Sequence, residues 1–96
     1  MIKIVISNDK ITVSGHACYD DYGKDIVCAA VSSTIITTVN GILSIDNSAL
    51  DVKEGNPLEI NIVKHNEVVD KLIFNMINLL TELQNDYKDN IDIRRC

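Results

Sequence analysis

Basic residues are few: nine Lys and Arg against 14 Asp and Glu leave a net charge of −5. No stripe of Lys or Arg is present to neutralise phosphates, so direct binding of nucleic acid is disfavoured, while a basic protein or peptide partner is allowed. Cysteine is sparse as well. Cys18, Cys28 and Cys96 are an odd number, none lies in a CxxC pair, and their intervals of 10 and 68 residues fit no zinc ribbon or finger. Neither a disulfide scaffold nor a metal or other cofactor is expected. No apolar run approaches the ~20 residues of a membrane-spanning helix, and the opening MIKIVISNDK lacks a small-residue cleavage site. The chain is therefore expected in the cytoplasm, off the membrane, with its thiols free. GxSxG, P-loop and GxGxxG patterns are missing too, which argues against hydrolase-elbow, nucleotide and dinucleotide chemistry.

What is there is the composition of a globule: 46% hydrophobic and 24% charged residues in 96 positions, enough for one core and hence a single domain over residues 1–96. Ile2, Ile4 and Ile6 alternate, Asn8-Asp9-Lys10 turns the chain, and Ile11 and Val13 alternate again, which predicts a hairpin over residues 2–16. By the same period His16 falls opposite to Ile11 and Val13. Residues 17–24 have no period and read as a loop. From Asp25, a good N-cap, apolar residues recur at helical spacing (Ile26, Ala29, Ala30, Ile35, Ile36, Val39) up to Asn40 and Gly41, a good C-cap. Its many Ser and Thr residues suggest that much of this helix is packed. Leu50 and Val52, a turn at Glu54–Pro57, then Leu58, Ile60 and Ile62 form a second hairpin. Asn66 caps a long helix over about 67–88, and Ile91 and Ile93 suggest a last strand. The order ββαββαβ predicts an α+β two-layer sandwich, a mainly antiparallel sheet with two helices on one face. Val5, Val63, Val68, Ile77 and Leu79 are left over, as spare core or as a surface for a second copy.

Cys28 is the third helical residue if Asp25 is the cap. Orphan N–H groups and the helix dipole favour an anion there, and a thiolate is the nucleophilic form of cysteine. A loop of eight residues joins the His16 strand to this helix, short enough to return the imidazole to its first turn. Cysteine with histidine at hydrogen-bonding reach is the minimum for thiol catalysis. Asp25, Cys28 and Ser32 share one helix face at i, i+3 and i+7. Asp25 orients His16, caps the helix, or does both. Ser32 bonds to its own backbone, bonds near the thiol, or faces the core. Alone, each of these residues has an ordinary structural reading. Gly15 and Gly23 flank the pair and let backbone approach and turn. The competitors are weaker: His65 reads as solvated beside a helix start, Cys18 lies too close to His16 along the chain, and Cys96 reads as a disordered end.

Gly15-His16-Ala17 followed by Tyr22-Gly23-Lys24-Asp25-Ile26-Val27-Cys28-Ala29-Ala30-Val31-Ser32 resembles the ribosomal-processing cysteine protease (Prp) family, as does Thr38-Val39-Asn40-Gly41. The resemblance is strong over residues 15–41 and elsewhere is one of length and element order. It implies a homodimeric, metal-free α+β protease that removes an N-terminal extension from large-subunit ribosomal protein twenty-seven, cutting after adjacent aromatics. It further implies His16 as general base, Cys28 as nucleophile, Gly15, Asp25 and Ser32 as supporting positions, and a mobile loop at 17–24. Amides at the helix start are expected to hold the oxyanion. Tyr19 and Tyr22 are candidates to close over an aromatic substrate segment. Cys18 departs from the family pattern, and residues 90–96 do not match it clearly. The competing class is a non-catalytic module that docks on a ribosomal protein during assembly. A third is a general thiol hydrolase acting on small esters.

Overall fold

The computed structural model describes residues 1–21 and 23–96. Two hairpins, two helices and a closing strand follow in the expected order: β1 (Ile2–Ile6), β2 (Lys10–Ser14), α1 (Ile26–Ile45), β3 (Leu50–Lys53), β4 (Leu58–Ile62), α2 (Glu67–Asp86) and β5 (Ile91–Arg95). The five strands form one sheet in the order β3-β4-β2-β1-β5. Three of its four ladders are antiparallel, but β5 runs parallel to β1, with Ile2 opposite Ile91 and Ile4 opposite Ile93, so the sheet is mixed. A parallel neighbour requires a long crossover, and here α2 supplies it.

Register gathers the alternating residues onto one face. Ile4 lies opposite Val13, Ile6 opposite Ile11, Ile11 opposite Ile60, and Ile62 opposite Leu50. Since directly opposed residues share a face, every strand contributes its apolar set to the same side. The helices cover that side. Val27, Val31, Ile35, Val39 and Ile42 of α1 and Val69, Ile73, Met76, Ile77 and Leu80 of α2 are buried with Ile2, Ile4, Ile11, Ile60 and Ile91. Ile77 thus belongs to the core, whereas Val63, Val68 and Leu79 are exposed.

Both N-caps hold. The Asp25 side chain accepts from the N–H groups of Val27 and Cys28, and Asn66 accepts from Val69. The helix ends differ from expectation. α1 continues through Gly41 to Ile45, because Ile42 is buried in the core and holds the last turn down; Asp46 is the cap. α2 ends at Asp86, two residues short of the predicted boundary, with Tyr87 as its cap. The hydroxyls of α1 do not mark a packed helix either: Ser32, Ser33 and Thr37 are exposed. Thr34 instead returns its hydroxyl to the Ala30 carbonyl at 2.8 Å. α1 carries no charged residue over its 20 positions, and its mean hydropathy of 1.8 makes it long and apolar enough to cross a membrane. Counting unbroken apolar runs hides this property, since serine and threonine interrupt them. In the fold, its apolar stripe lies on the sheet.

Candidate active site

The site is built where β2 ends and α1 begins. Gly15 follows β2 with φ +81°, in the left-handed region open to glycine. Its missing side chain also matters, because a Cβ there would run into the backbone carbonyl of Met1. This turn breaks the strand's alternation. His16, expected on the far side from Val13, instead joins Val13 in a cleft on the helix side of the sheet. The cleft encloses about 910 Å³ and brings together Gly15, His16, Asp25, Cys28 and Ser32. Ile2, Val13, Val31, Ile35, Ile36 and Leu58 give it apolar walls.

Cys28 is half-buried, and its Sγ accepts a hydrogen bond from the Ala17 N–H at 3.3 Å. His16 is exposed, and among the described residues no hydrogen bond joins it to the thiol. Ser32 is exposed one turn further along α1, which removes the option of core packing. Asp25 spans two structures. Its Oδ1 accepts from Val27 and Cys28, each at 3.0 Å, and its Oδ2 accepts from Tyr19 at 3.0 Å and Asp20 at 3.4 Å. Desolvation pushes its carboxyl up, but the amides of Cys28, Tyr19, Asp20 and Val27 outweigh it together and hold the group below the usual carboxylate range. These partners make Asp25 a cap and a loop anchor, and His16 is not among them. They also occupy two of the helix-start amides expected to receive an oxyanion.

Two residues at the site escape a reading of the sequence. Asn56, in the β3–β4 turn, accepts from the Gly15 N–H at 2.9 Å. Asn90, between α2 and β5, donates its Nδ2 to the Ala17 carbonyl at 2.9 Å. They lie 41 and 73 residues from their partners, with no local pattern to betray them. Tyr19 turns onto Tyr87, with ring centroids 5.4 Å apart and planes at 85°; Tyr22 lies outside the described residues.

A family model for cysteine protease Prp matches residues 1–92. The chain belongs to the Prp family of cysteine proteases. It is similar to the ribosomal processing cysteine protease Prp of Staphylococcus aureus, 31% identical over 85 residues, which cover 84% of this chain and 80% of that protein. A local match to the Prp of Mycoplasma pneumoniae is 57% identical over 35 residues, 36% of this chain and 35% of that one. That match spans about a third of the relative's length. Among solved structures, the S. aureus Prp with a covalently linked product peptide superimposes with a TM-score of 0.94 at 25% identity, covering 100% of both chains.

A second cleft, of about 440 Å³, also contains a cysteine and a histidine, Cys96 and His65. Its chemistry is different. His65 gives Nδ1 to Asp70 and Nε2 to Asp9, both at 2.7 Å, so neither ring nitrogen is left to take a proton from a thiol. It is exposed, as expected, and also straps the β1–β2 turn to α2. The Cys96 N–H donates to the Ile6 carbonyl at 2.9 Å, so its backbone is tied to the sheet and does not dangle. Within this Prp fold, only Cys28 combines a thiol with a helix start and an imidazole whose nitrogens are not tied to carboxylates, among the described residues.

Proposed function

We propose that this chain is a cysteine endopeptidase that removes an N-terminal extension from large-subunit ribosomal protein twenty-seven, working in the cytoplasm as a homodimer with Cys28 as nucleophile and His16 as general base. The observation that carries this reading is the cleft shared by Cys28 and His16 at the start of α1, in a chain of the Prp family. The exposed Val63, Val68 and Leu79 are apolar surface available to a second copy.

In this reaction His16 takes the thiol proton and Cys28 Sγ attacks the scissile carbonyl carbon. The tetrahedral intermediate collapses as the C–N bond breaks, and His16 returns the proton to the leaving amine. Water then gives a proton to His16, attacks the thioester, and releases Cys28. The Ala17 N–H already donates to the sulfur, where it favours the attacking thiolate over the thiol. The amides of Val27 and Cys28 become available to the oxyanion on the scissile carbonyl only when the Asp25 carboxylate releases them. The apolar walls at Ile35, Ile36 and Leu58 suit large apolar side chains of a substrate peptide.

Mass spectrometry of the extended ribosomal protein after incubation tests the reading. Cys28→Ala is expected to lose at least about 10³-fold in cleavage while staying folded, and Cys18→Ala to cleave at nearly the wild-type rate. Equal cleavage by Cys28→Ala and wild type would overturn it. A docking module without chemistry would leave the ribosomal protein intact under all conditions.

A further inference from the structure

Ala17 is 1% exposed, and both of its backbone polar groups are satisfied by side chains from distant parts of the chain. Its N–H belongs to the His16–Ala17 peptide and donates to Cys28 Sγ at 3.3 Å. Its carbonyl belongs to the next peptide, Ala17–Cys18, and accepts from Asn90 Nδ2 at 2.9 Å. The two peptide planes meet at one buried α-carbon, so fixing the second limits the swing of the first. Cys18 takes up the resulting bend with φ +55°, which few non-glycine residues adopt.

Asn90 is itself a rigid post. Its N–H donates to the Tyr87 carbonyl and its carbonyl accepts from the Ile2 N–H, each at 2.9 Å. With both backbone groups committed to α2 and β1, only the carboxamide is free to serve the loop. The loop's other described tethers, from Tyr19 and Asp20 to Asp25 and from the Tyr19 ring to Tyr87, act further along and bond neither polar group of Ala17.

We propose that Asn90 is a positioning residue for the nucleophile: its carboxamide fixes the Ala17–Cys18 peptide so that the Ala17 N–H stays aimed at Cys28 Sγ. The inference rests on the reading of Cys28 as nucleophile. A hydrogen bond to sulfur is stronger to the anionic form than to the neutral thiol, so holding this amide in place favours the attacking species. Losing Asn90 would release the amide and leave the buried Ala17 carbonyl without its donor.

The test uses iodoacetamide, which needs no peptide substrate. The rate of Cys28 labelling is followed by mass spectrometry from pH 5 to 10 in wild type, Asn90→Leu, Asn90→Gln and Ile73→Val. Leucine keeps the branched shape of asparagine, in greater bulk, without its donor and adds no charge. Glutamine keeps the donor. Ile73→Val weakens the core away from the loop. Asn90→Leu is expected to label Cys28 about tenfold more slowly at pH 7, with the labelling profile displaced to higher pH. Asn90→Gln should recover most of the rate, and Ile73→Val should match wild type. Asn90→Ala replaces the leucine variant should that one not fold. Wild-type labelling in Asn90→Leu, or an equal loss in Asn90→Gln, would overturn the assignment. Cys28 labelling no faster than Cys18 in wild type would instead overturn the protease reading beneath it.

Discussion

Gly15 and Gly41 should respond to alanine in opposite directions, and the difference tests how the site is held. At Gly15 an added Cβ meets the Met1 backbone carbonyl at a separation that real side chains do not tolerate. The backbone there is left-handed, with φ +81°, which costs an L-residue about 1–2 kcal/mol. Overpacking adds about 1–3 kcal/mol. The obstacle is main chain at the start of β1, an inner strand, so no rotamer change relieves it. Alanine returns only about 0.4–1 kcal/mol by restricting the unfolded chain. Gly15→Ala should thus be destabilised by about 3 kcal/mol, lowering Tm by about 12–24 °C for a domain of this size. Gly41 sits inside α1, where a Cβ would meet nothing within 4 Å. Gly41→Ala should gain about 0.5–1 kcal/mol from helix propensity alone, raising Tm by about 2–8 °C. Thermal melts and urea titrations at pH 7 read both, and cleavage assays follow each variant. Gly41→Ala should keep its activity, while Gly15→Ala should lose it at temperatures where it is still folded, because His16 is the next residue. A Gly15→Ala protein that melts within 2 °C of wild type and cleaves normally would refute the steric argument.

Two pH-dependent outcomes follow from the charged groups. His65 is raised above its ordinary 6.5, chiefly by its hydrogen bond to Asp70, then by that to Asp9, against a smaller desolvation effect. Its stabilisation is therefore full below about pH 6.5 and fades as pH rises through the raised value. The Tm gap between wild type and His65→Gln should be largest near pH 5.5 and close by pH 9; a gap that does not change with pH would refute the ion-paired strap. Asp25 behaves in the opposite sense, since its carboxyl lies below the usual 3.8. Its contribution is full above that value and is lost as pH falls through the lowered one, so Asp25→Ala should melt below wild type at pH 7 and converge with it near pH 2. Circular dichroism melts across this range measure both.

Much of this architecture could be read from neighbouring residues. The alternation of Ile2, Ile4 and Ile6, the caps at Asp25 and Asn66, and the turn at Asn8–Lys10 are decided within a few positions, and each appears where the local chemistry puts it. Cys28 and His16 could be proposed together because a short loop joins their elements. The parallel pairing of β5 with β1 had no such signal, since alternation looks alike in either direction. The position of His16 depended on a dihedral angle at Gly15 that reverses strand parity, and the continuation of α1 past Gly41 depended on a buried Ile42. Asn56 and Asn90 were invisible because their roles exist only after distant segments meet. The Asp25 carboxylate was anticipated as a cap, but its second oxygen, turned to Tyr19 and Asp20, could be seen only in three dimensions.

The link from Asn90 to Ala17 also orders events in time. Chains emerge from the ribosome N-terminus first, so β1, β2 and α1 are made long before residue 90, and contacts between remote segments are the slow ones to form. Until the Asn90 side chain arrives, Ala17 has no described donor for its carbonyl, and its amide is held on the sulfur by the loop and by the burial of its side chain alone. A nascent chain of these elements would carry the Cys28 thiol before the Asn90 bond that completes its setting.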